Sequence, residues 1–173
     1  GGFAPWVGSL IKDINQKIIF IAEEGREHEV VTRFSRVGYD TILGYLRGGI
    51  HSWLAAGHKV VKVGSISAVK FANKLKDGTM EVAMDVRKES EYQSEHVVGV
   101  ENFPLDFIHS DFAEIKPDKE YFLHCASGYR SLIAASIFMA NGVKKVTDVR
   151  GGFNDIKDTE VELTQYVCPT TLL

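Results

Sequence analysis

Cys125 and Arg130 are separated by four residues in the segment Cys125-Ala126-Ser127-Gly128-Tyr129-Arg130, which we call the cysteine loop (residues 125–130). A thiolate is a strong nucleophile, and backbone N–H groups at the start of a helix stabilise it and lower its pKa. The same N–H groups and the helix dipole attract an anion. Arg130 adds a fixed positive charge. The spacing therefore predicts a sulfur nucleophile in a cradle that suits an anionic substrate or intermediate.

The elements around this loop are typical of an α/β fold. Apolar runs of strand length alternate with helical patterns along the chain. They predict strands at residues 18–22, 41–45, 59–63, 81–85, 100–103, 121–125 and 145–149. They predict helices at residues 26–36, 50–56, 66–75 with Ser65 as the N-cap, 105–115, 130–141 and 153–158. This order predicts a parallel-stranded sheet flanked by helices, with the cysteine loop at the carboxyl end of a strand, where such folds bind ligands.

Part of this pattern occurs twice. In both copies a strand is followed by a helix, a glycine, a second strand and an Arg-Gly-Gly turn, which ends at Gly49 in the first copy and at Gly152 in the second. Further elements in residues 59–118 precede the second copy, whereas only residues 1–16 precede the first. We therefore predict a duplication in which residues 1–58 form a partial unit and residues 59–173 form a complete domain.

The composition excludes several classes of function. The chain has 20 Lys and Arg against 23 Asp and Glu, a net charge of −3, so no nucleic-acid partner is expected. No apolar run approaches the roughly 20 residues of a membrane helix, so no membrane association is expected. Two cysteines are too few for a disulfide scaffold, which favours a reducing, cytoplasmic location. The six histidines form no metal-binding motif, so we expect no metal or cofactor in this chain.

The cysteine loop and its surroundings resemble the rhodanese family of sulfurtransferases over residues 66–158. The matching motifs are Asp85-Val86-Arg87 followed by Glu91-Tyr92, residues 95–104, the cysteine loop with Ser131 after it, and Gly151-Gly152-Phe153. The sequence departs from the family pattern at Glu95, Val100 and Asp155, outside the cysteine loop. The resemblance implies a rhodanese-like fold for the complete domain.

The resemblance also implies an activity. In a rhodanese-type sulfurtransferase, Cys125 would take sulfane sulfur from thiosulfate, a persulfide or a polysulfide and pass it as a persulfide to a thiophilic acceptor. The expected substrate-binding residues are Ala126, Ser127, Gly128, Tyr129, Arg130 and Ser131. Arg130 would either bind the anionic donor or brace the loop. The residues expected to orient the loop through ion pairs are Asp85, Arg87 and Glu91.

Two other functions fit the residues. A cysteine-dependent phosphatase or arsenate reductase uses the same kind of cradle, but phosphatases of the family have five residues between Cys and Arg, whereas this chain has four. A binding module without turnover is the second alternative. Cys168 would either resolve the persulfide or be a tail thiol without a function. His124 directly precedes Cys125 on a strand, so its side chain should point to the opposite face, and we do not expect it to be the base.

The first copy resembles the C-terminal half of the same fold but has no cysteine in its equivalent segment, residues 22–27. It is therefore expected to be non-catalytic. A non-catalytic copy before a catalytic one resembles the tail of larger proteins in which a metallo-β-lactamase-fold domain precedes two rhodanese modules, and metal ligands would lie in that upstream domain. The apolar flanks of residues 18–22 predict that the partial unit docks on the complete one or on another chain.

Overall fold

The computed structural model describes residues 3–168 of the chain. The chain divides between Val61 and Lys62 into two compact units, which we call the N-terminal unit (residues 1–61) and the C-terminal unit (residues 62–173). None of the helices in residues 3–168 is long and apolar enough to cross a membrane. That the N-terminal unit is a partial copy of the C-terminal unit stays a prediction.

The N-terminal unit contains a two-stranded parallel sheet. Its elements are α1 (Phe3–Leu10), β1 (Ile18–Phe20), α2 (Glu27–Ser35), β2 (Ile42–Tyr45) and α3 (Gly49–Ala55). Helix α1 was not predicted, and it contributes Val7 to a small core that includes Phe20 and Phe34. Ile19 and Leu43 stand on the sheet but are 69% and 61% exposed, so part of the sheet is an uncovered apolar surface.

The C-terminal unit is built on a five-stranded parallel sheet with the strand order β3-β7-β6-β4-β5. Its elements are β3 (Gly64–Ile66), α4 (Ala68–Lys76), β4 (Val82–Asp85), α5 (Glu89–Ser94), β5 (Glu101–Asn102), α6 (Ile108–Asp111), β6 (Glu120–His124), α7 (Tyr129–Ala140), β7 (Lys145–Val149) and α8 (Gly152–Ile156). The prediction of an α/β fold with a parallel sheet flanked by helices is confirmed.

Both faces of this sheet are covered, as is usual for parallel sheets. On one face Phe122 and Val149 pack with Phe71 of α4 and Phe153 of α8. On the other face Tyr121 packs edge-on against Phe138 of α7, at a ring-centroid distance of 5.1 Å. Strand β6 is central and is therefore buried along its last four residues. The cysteine loop follows the carboxyl end of this strand.

Two sequence-based assignments near β3 were wrong. The strand predicted at residues 59–63 is a loop in which Val61 is 79% exposed, and the strand is β3 instead. Gly64 makes this pairing close, because a Cβ at that position would lie 3.1 Å from the carbonyl oxygen of Val146. The N-cap of α4 is Ser67 rather than Ser65, since the Ser67 hydroxyl accepts a hydrogen bond from the N–H of Lys70 at 3.2 Å.

The helix predicted at residues 105–115 is not continuous. Only α6 is α-helical there, and it lies between the 3₁₀ segments Leu105–Phe107 and Phe112–Glu114. Leu105 and Ile108 are buried in these turns, and Ile115 is buried directly after them. The apolar residues that suggested one helix are therefore buried by short helical turns, two of them 3₁₀.

Candidate active site

The cysteine loop connects β6 to α7, and its last two residues form the first turn of that helix. Cys125 is only 1% exposed. Its Sγ accepts a hydrogen bond from the N–H of Gly128 at 3.1 Å and faces the hydroxyl of Ser131 at 3.5 Å. Gly128 adopts a φ of +98°, a conformation that strongly favours glycine. The loop therefore wraps hydrogen-bond donors around the thiol.

The surroundings of Cys125 favour the thiolate. Burial by itself would raise the pKa of the Cys125 thiol, but hydrogen bonds from the Ser131 hydroxyl and from the N–H groups of Ser131, Ser127 and Gly128 outweigh it and lower the pKa below its usual value. The positive end of the dipole of α7, a 12-residue helix, acts in the same direction. A thiolate nucleophile is therefore available near neutral pH to a greater extent than in a free cysteine.

Arg130 is paired with Glu91 of α5. Its guanidinium donates two hydrogen bonds to the Glu91 carboxylate, at 2.5 and 2.8 Å. The hydrogen bond from Arg130 holds the pKa of Glu91 below its usual range although partial burial opposes it. Glu91 also accepts a hydrogen bond from the N–H of Lys88 at the start of α5, at 3.1 Å. Of the two roles expected for Arg130, the bracing of the loop is the one that this geometry fits.

Asp85 and Arg87 form a second ion pair. Both are buried, at 0% and 5% exposure, and the Arg87 Nε donates to the Asp85 carboxylate at 2.8 Å. The Arg87 guanidinium stacks over the ring of Phe153 at 3.9 Å, and the Phe153 N–H donates to the carbonyl oxygen of Cys125 at 2.6 Å. The structure therefore connects this ion pair to the loop through Phe153.

Gly152 belongs to the site but was given no role by the sequence reasoning. It has a φ of +58°, and a Cβ at this position would lie 2.2 Å from the carbonyl oxygen of Cys125. The N–H of Asn154, in the same turn of α8, donates to the carbonyl oxygen of Ala126 at 3.0 Å. The Gly-Gly turn therefore packs in close contact with the backbone of the cysteine loop. The Arg-Gly-Gly motif was visible in the sequence, but its spacing from Cys125 did not show that Gly152 would contact the Cys125 backbone.

The remaining predicted substrate-binding residues differ in their exposure. Ser127 and Tyr129 are exposed at the tip of the cysteine loop, Ala126 is half-buried, and Ser131 is fully buried in the first turn of α7. Of the six predicted substrate-binding residues, Gly128 and Ser131 have a hydrogen bond to the Cys125 sulfur. Their contact with a substrate stays a prediction.

His124 faces away from the nucleophile. Its ring is fully buried and packs edge-on against Phe71 of α4 and parallel to Phe153 of α8, on the sheet face opposite α7. Burial lowers the pKa of His124, so the ring is neutral at physiological pH. Neither ring nitrogen has a hydrogen-bond partner among residues 3–168. This placement matches a packing role.

The chain after α8 runs back along α5. Thr164 donates its N–H to the carbonyl oxygen of His96 at 2.9 Å, and Val167 donates to Ser94 at 2.8 Å. Cys168 is exposed at the end of this segment, and its role as a resolving thiol stays a prediction. Within residues 3–168, no group of three or more His, Cys, Asp or Glu side chains could hold a metal ion.

Comparisons with known proteins agree with this geometry. Residues 67–159 match the rhodanese-like domain family. The Bacillus subtilis protein YqhL is 34% identical over 70 residues, which is 40% of this chain and 56% of that protein. A protein of Allochromatium vinosum named a sulfurtransferase is 27% identical over 90 residues, 52% of this chain and 84% of that protein. The crystal structure of a rhodanese-like domain protein from Staphylococcus aureus has a TM-score of 0.53 at 25% identity, covering 60% of this chain and 100% of that one.

Proposed function

The chain belongs to the rhodanese-like domain family, and we propose that it is a sulfurtransferase that moves sulfane sulfur through a persulfide on Cys125. One observation carries this proposal. The Cys125 sulfur sits in a ring of N–H and hydroxyl donors that lowers its pKa. The naming of the Allochromatium vinosum relative as a sulfurtransferase supports it.

In the first step, the Cys125 thiolate attacks the outer sulfur of a donor such as thiosulfate. A bond forms between the two sulfurs, and the bond inside the donor breaks, so that sulfite leaves with the electron pair. The product is a Cys125 persulfide with a negative charge on its terminal sulfur. The N–H groups at the start of α7 are placed to stabilise that charge, as they do for the resting thiolate.

In the second step, a thiophilic acceptor attacks the terminal sulfur. A thiolate acceptor gains the sulfur and becomes a persulfide, and the electron pair of the broken bond returns to Cys125 as a thiolate. No net oxidation occurs, because the sulfane sulfur keeps its oxidation state through both steps. Arg130 holds the loop against Glu91 throughout this cycle and leaves the N–H groups to contact the sulfur.

The cradle suits a sulfur atom better than a phosphoryl group. Only four residues separate Cys125 from Arg130, so the ring of N–H groups is small. Arg130 already forms two hydrogen bonds with Glu91, whereas an oxyanion with three equatorial oxygens would require a free guanidinium. We therefore prefer sulfur transfer to the hydrolysis of a phosphate ester or the reduction of arsenate.

We extend the proposal to the location of the activity and to the protein that contains it. We place the sulfur transfer in the reducing cytoplasm and in a larger sulfide- or persulfide-metabolising protein, with a non-catalytic partial rhodanese-like unit in residues 1–58 and a metallo-β-lactamase-fold domain upstream. Small sulfur compounds and thiols would be its partners. The uncovered apolar side chains Ile19 and Leu43 support a further contact of the N-terminal unit, including one with another copy of the chain.

The decisive test measures the intact mass of the chain after treatment with thiosulfate. The addition of one sulfur atom is expected, and dithiothreitol should remove it. Cys125→Ser should abolish the adduct and Cys168→Ser should leave it unchanged. A parallel assay should detect thiocyanate formation from thiosulfate and cyanide. Hydrolysis of an aryl phosphate without any sulfur adduct would overturn the proposal in favour of a phosphatase, and the lack of both activities would favour a binding module.

A further inference from the structure

The N-terminal unit has a cavity of about 500 Å³ at the carboxyl end of its two strands. Its walls are formed by residues that follow β1 and β2, among them Ala22 and Leu46, and by the first residues of α2 and α3. Parallel α/β folds bind their ligands at this end of the sheet, and the volume is in the range of small-molecule sites. In the C-terminal unit the corresponding position is occupied by the cysteine loop. The cavity is therefore placed where a ligand is expected.

Side chains of both charge signs line this cavity. The carboxylates belong to Glu24, in the loop after β1, and to Glu27, the first residue of α2. Arg47, in the turn after β2, supplies a guanidinium, and His51 of α3 supplies a ring N–H donor. In the part of the chain that the structure describes, none of these four side chains has an ion pair or a hydrogen bond. Their polar groups are therefore open to a ligand.

The backbone that carries these groups is held by contacts that do not engage them. Before α2, Arg26 pairs with Glu23 at 3.3 Å and with Glu29 at 2.9 Å, so the two carboxylates of the cavity stay outside this cluster. After β2, the Ser52 hydroxyl donates a hydrogen bond to the carbonyl oxygen of Arg47 at 2.5 Å. Both walls of the cavity are thus ordered before a ligand binds, which reduces the entropy that binding would cost.

The separation of the charges selects a ligand that carries both signs. The carboxylates and the guanidinium lie on different elements and do not pair with each other among residues 3–168. A simple cation would leave the guanidinium without a partner, and a simple anion would leave the carboxylates without one. The two carboxylates are not a metal site either, because residues 3–168 contain no group of three or more metal-binding side chains. A molecule with a cationic and an anionic end complements both charges at once.

We propose that this cavity binds a small zwitterion of the amino-acid or short-peptide class. Its ammonium pairs with Glu24 and Glu27. Its carboxylate pairs with Arg47 and accepts a hydrogen bond from His51. The ring of Tyr45 also lines the cavity and contacts the uncharged part of the ligand. The binding involves no covalent step and does not depend on sulfur transfer at Cys125.

The test is an NMR titration of the full chain with the dipeptide alanylalanine and with two blocked forms of it. The N-acetyl form lacks the ammonium, and the C-terminal amide lacks the carboxylate. We expect saturable shifts of the N–H signals of Gly48 and Gly49, with a Kd of about 1 mM, and an affinity about fivefold lower for either blocked form, because each loses one exposed charge pair. Equal binding of all three peptides, or no saturable shift, would overturn the proposal.

A substitution connects the carboxylate of the peptide to its partner. Arg47→Gln should weaken the binding of alanylalanine about fivefold, and the free dipeptide and its amide should then bind equally, because the contact that distinguishes them is gone. Arg36→Gln is the matched control, since it removes the same charge at the end of α2, outside the cavity. It should leave binding unchanged. Equal losses in the two variants would show a response to net charge alone and would contradict the proposal.

The blocked peptides are tested on the unaltered chain, so the proposal can be refuted even if a variant does not fold. Peptide-induced shifts at Gly128 in place of Gly48 and Gly49 would assign the binding to the cysteine loop and would also overturn it. No sulfur donor is used in the titration. A chain that forms no persulfide could therefore still bind the dipeptide, and an active sulfurtransferase could fail to bind it.

Discussion

The segments that follow β1 and β6 are the most informative comparison in this molecule. In the N-terminal unit the order is β1, α2, β2 and a turn at Gly48 and Gly49, and in the C-terminal unit it is β6, α7, β7 and a turn at Gly151 and Gly152. The second glycine of both turns has a φ of +58°. The two segments thus share the order of their elements and the conformation of their turns.

They differ in what the turn touches. A Cβ on Gly49 would lie 3.4 Å from the side chain of Ile21, the first residue after β1, whereas a Cβ on Gly152 would lie 2.2 Å from the backbone of Cys125, the first residue after β6. Ile21 is 59% exposed and Cys125 is 1% exposed. The order of elements therefore does not build a cradle by itself. The close packing of the Gly152 turn against the backbone of the cysteine loop has no counterpart at Gly49.

The helix that follows each loop is also stabilised differently. At the start of α2, Arg26 forms exposed ion pairs with Glu23 at 3.3 Å and with Glu29 at 2.9 Å. At the start of α7, the N–H of Gly128 donates to the Cys125 sulfur instead. Carboxylates near the start of α2 would also repel an anionic sulfur donor. This difference favours a non-catalytic role for the N-terminal unit.

The largest effect is expected from Gly152→Ala, with Gly49→Ala as the matched control. Both substitutions strain the same backbone conformation, so that cost cancels in the comparison. Gly152→Ala should destabilise its unit by about 1–3 kcal/mol more than the control does, because the new methyl group overlaps the loop. It should also slow persulfide formation about a hundredfold through displacement of Cys125. Denaturant unfolding and the rate of the mass increase measure the two effects, and equal losses for both variants would contradict this account.

The second prediction concerns pH. The pKa of the Cys125 thiol is lower in the folded state than in the unfolded chain, so the thiolate contributes stability that is fully present above the unfolded pKa and is lost as the pH falls through the folded one. Relative to Cys125→Ser, the free energy of unfolding of the C-terminal unit should therefore rise with pH between the folded and the unfolded pKa of this thiol, with a slope of at most about 1.4 kcal/mol per pH unit. Urea unfolding at several pH values measures the slope. A flat difference would refute the stabilised thiolate.

A smaller effect is expected from Glu91→Gln, which weakens the pair with Arg130. Because this pair is partly exposed, the loss of stability should be about 1 kcal/mol or less. Persulfide formation should slow several-fold, since the loop loses its brace. The control is Glu29→Gln in the N-terminal unit, which weakens the exposed pairs with Arg26 and Arg33 and should leave the rate unchanged. A rate that falls equally in both variants would show that the Glu91 pair is not specific to the site.

The smallest effect is expected from placing a cysteine in the N-terminal loop by Ile21→Cys in a Cys125→Ser chain. The new thiol would be exposed and would lie outside any ring of N–H donors comparable to that around Cys125. Its pKa should stay near the usual value of about 8.5, and thiosulfate should add no sulfur to it. Intact-mass analysis tests this expectation. A sulfur adduct on the new cysteine would show that the order of elements is sufficient for the chemistry.

Much of the site was readable from the sequence because it is local. The donors closest to the sulfur belong to Gly128 and Ser131, which lie within six residues of Cys125. A strand, a short loop with a glycine and a helix suffice to place them. For the same reason the parallel sheet and most of its strands could be predicted from apolar runs. The strand assignment failed at Gly64. The apolar pattern does not predict a strand at a glycine, and β3 begins there because Gly64 allows close packing against β7.

The sequence by itself determined that a cysteine would stand at the carboxyl end of a parallel strand with helix N–H groups beside it. The tertiary structure decided that Arg130 meets Glu91, 39 residues away, and that Gly152 packs against the Cys125 carbonyl. These contacts join helices, loops and turns that are distant along the chain. Their proximity depends on the strand order and register of the sheet, which residue spacing along one chain does not contain.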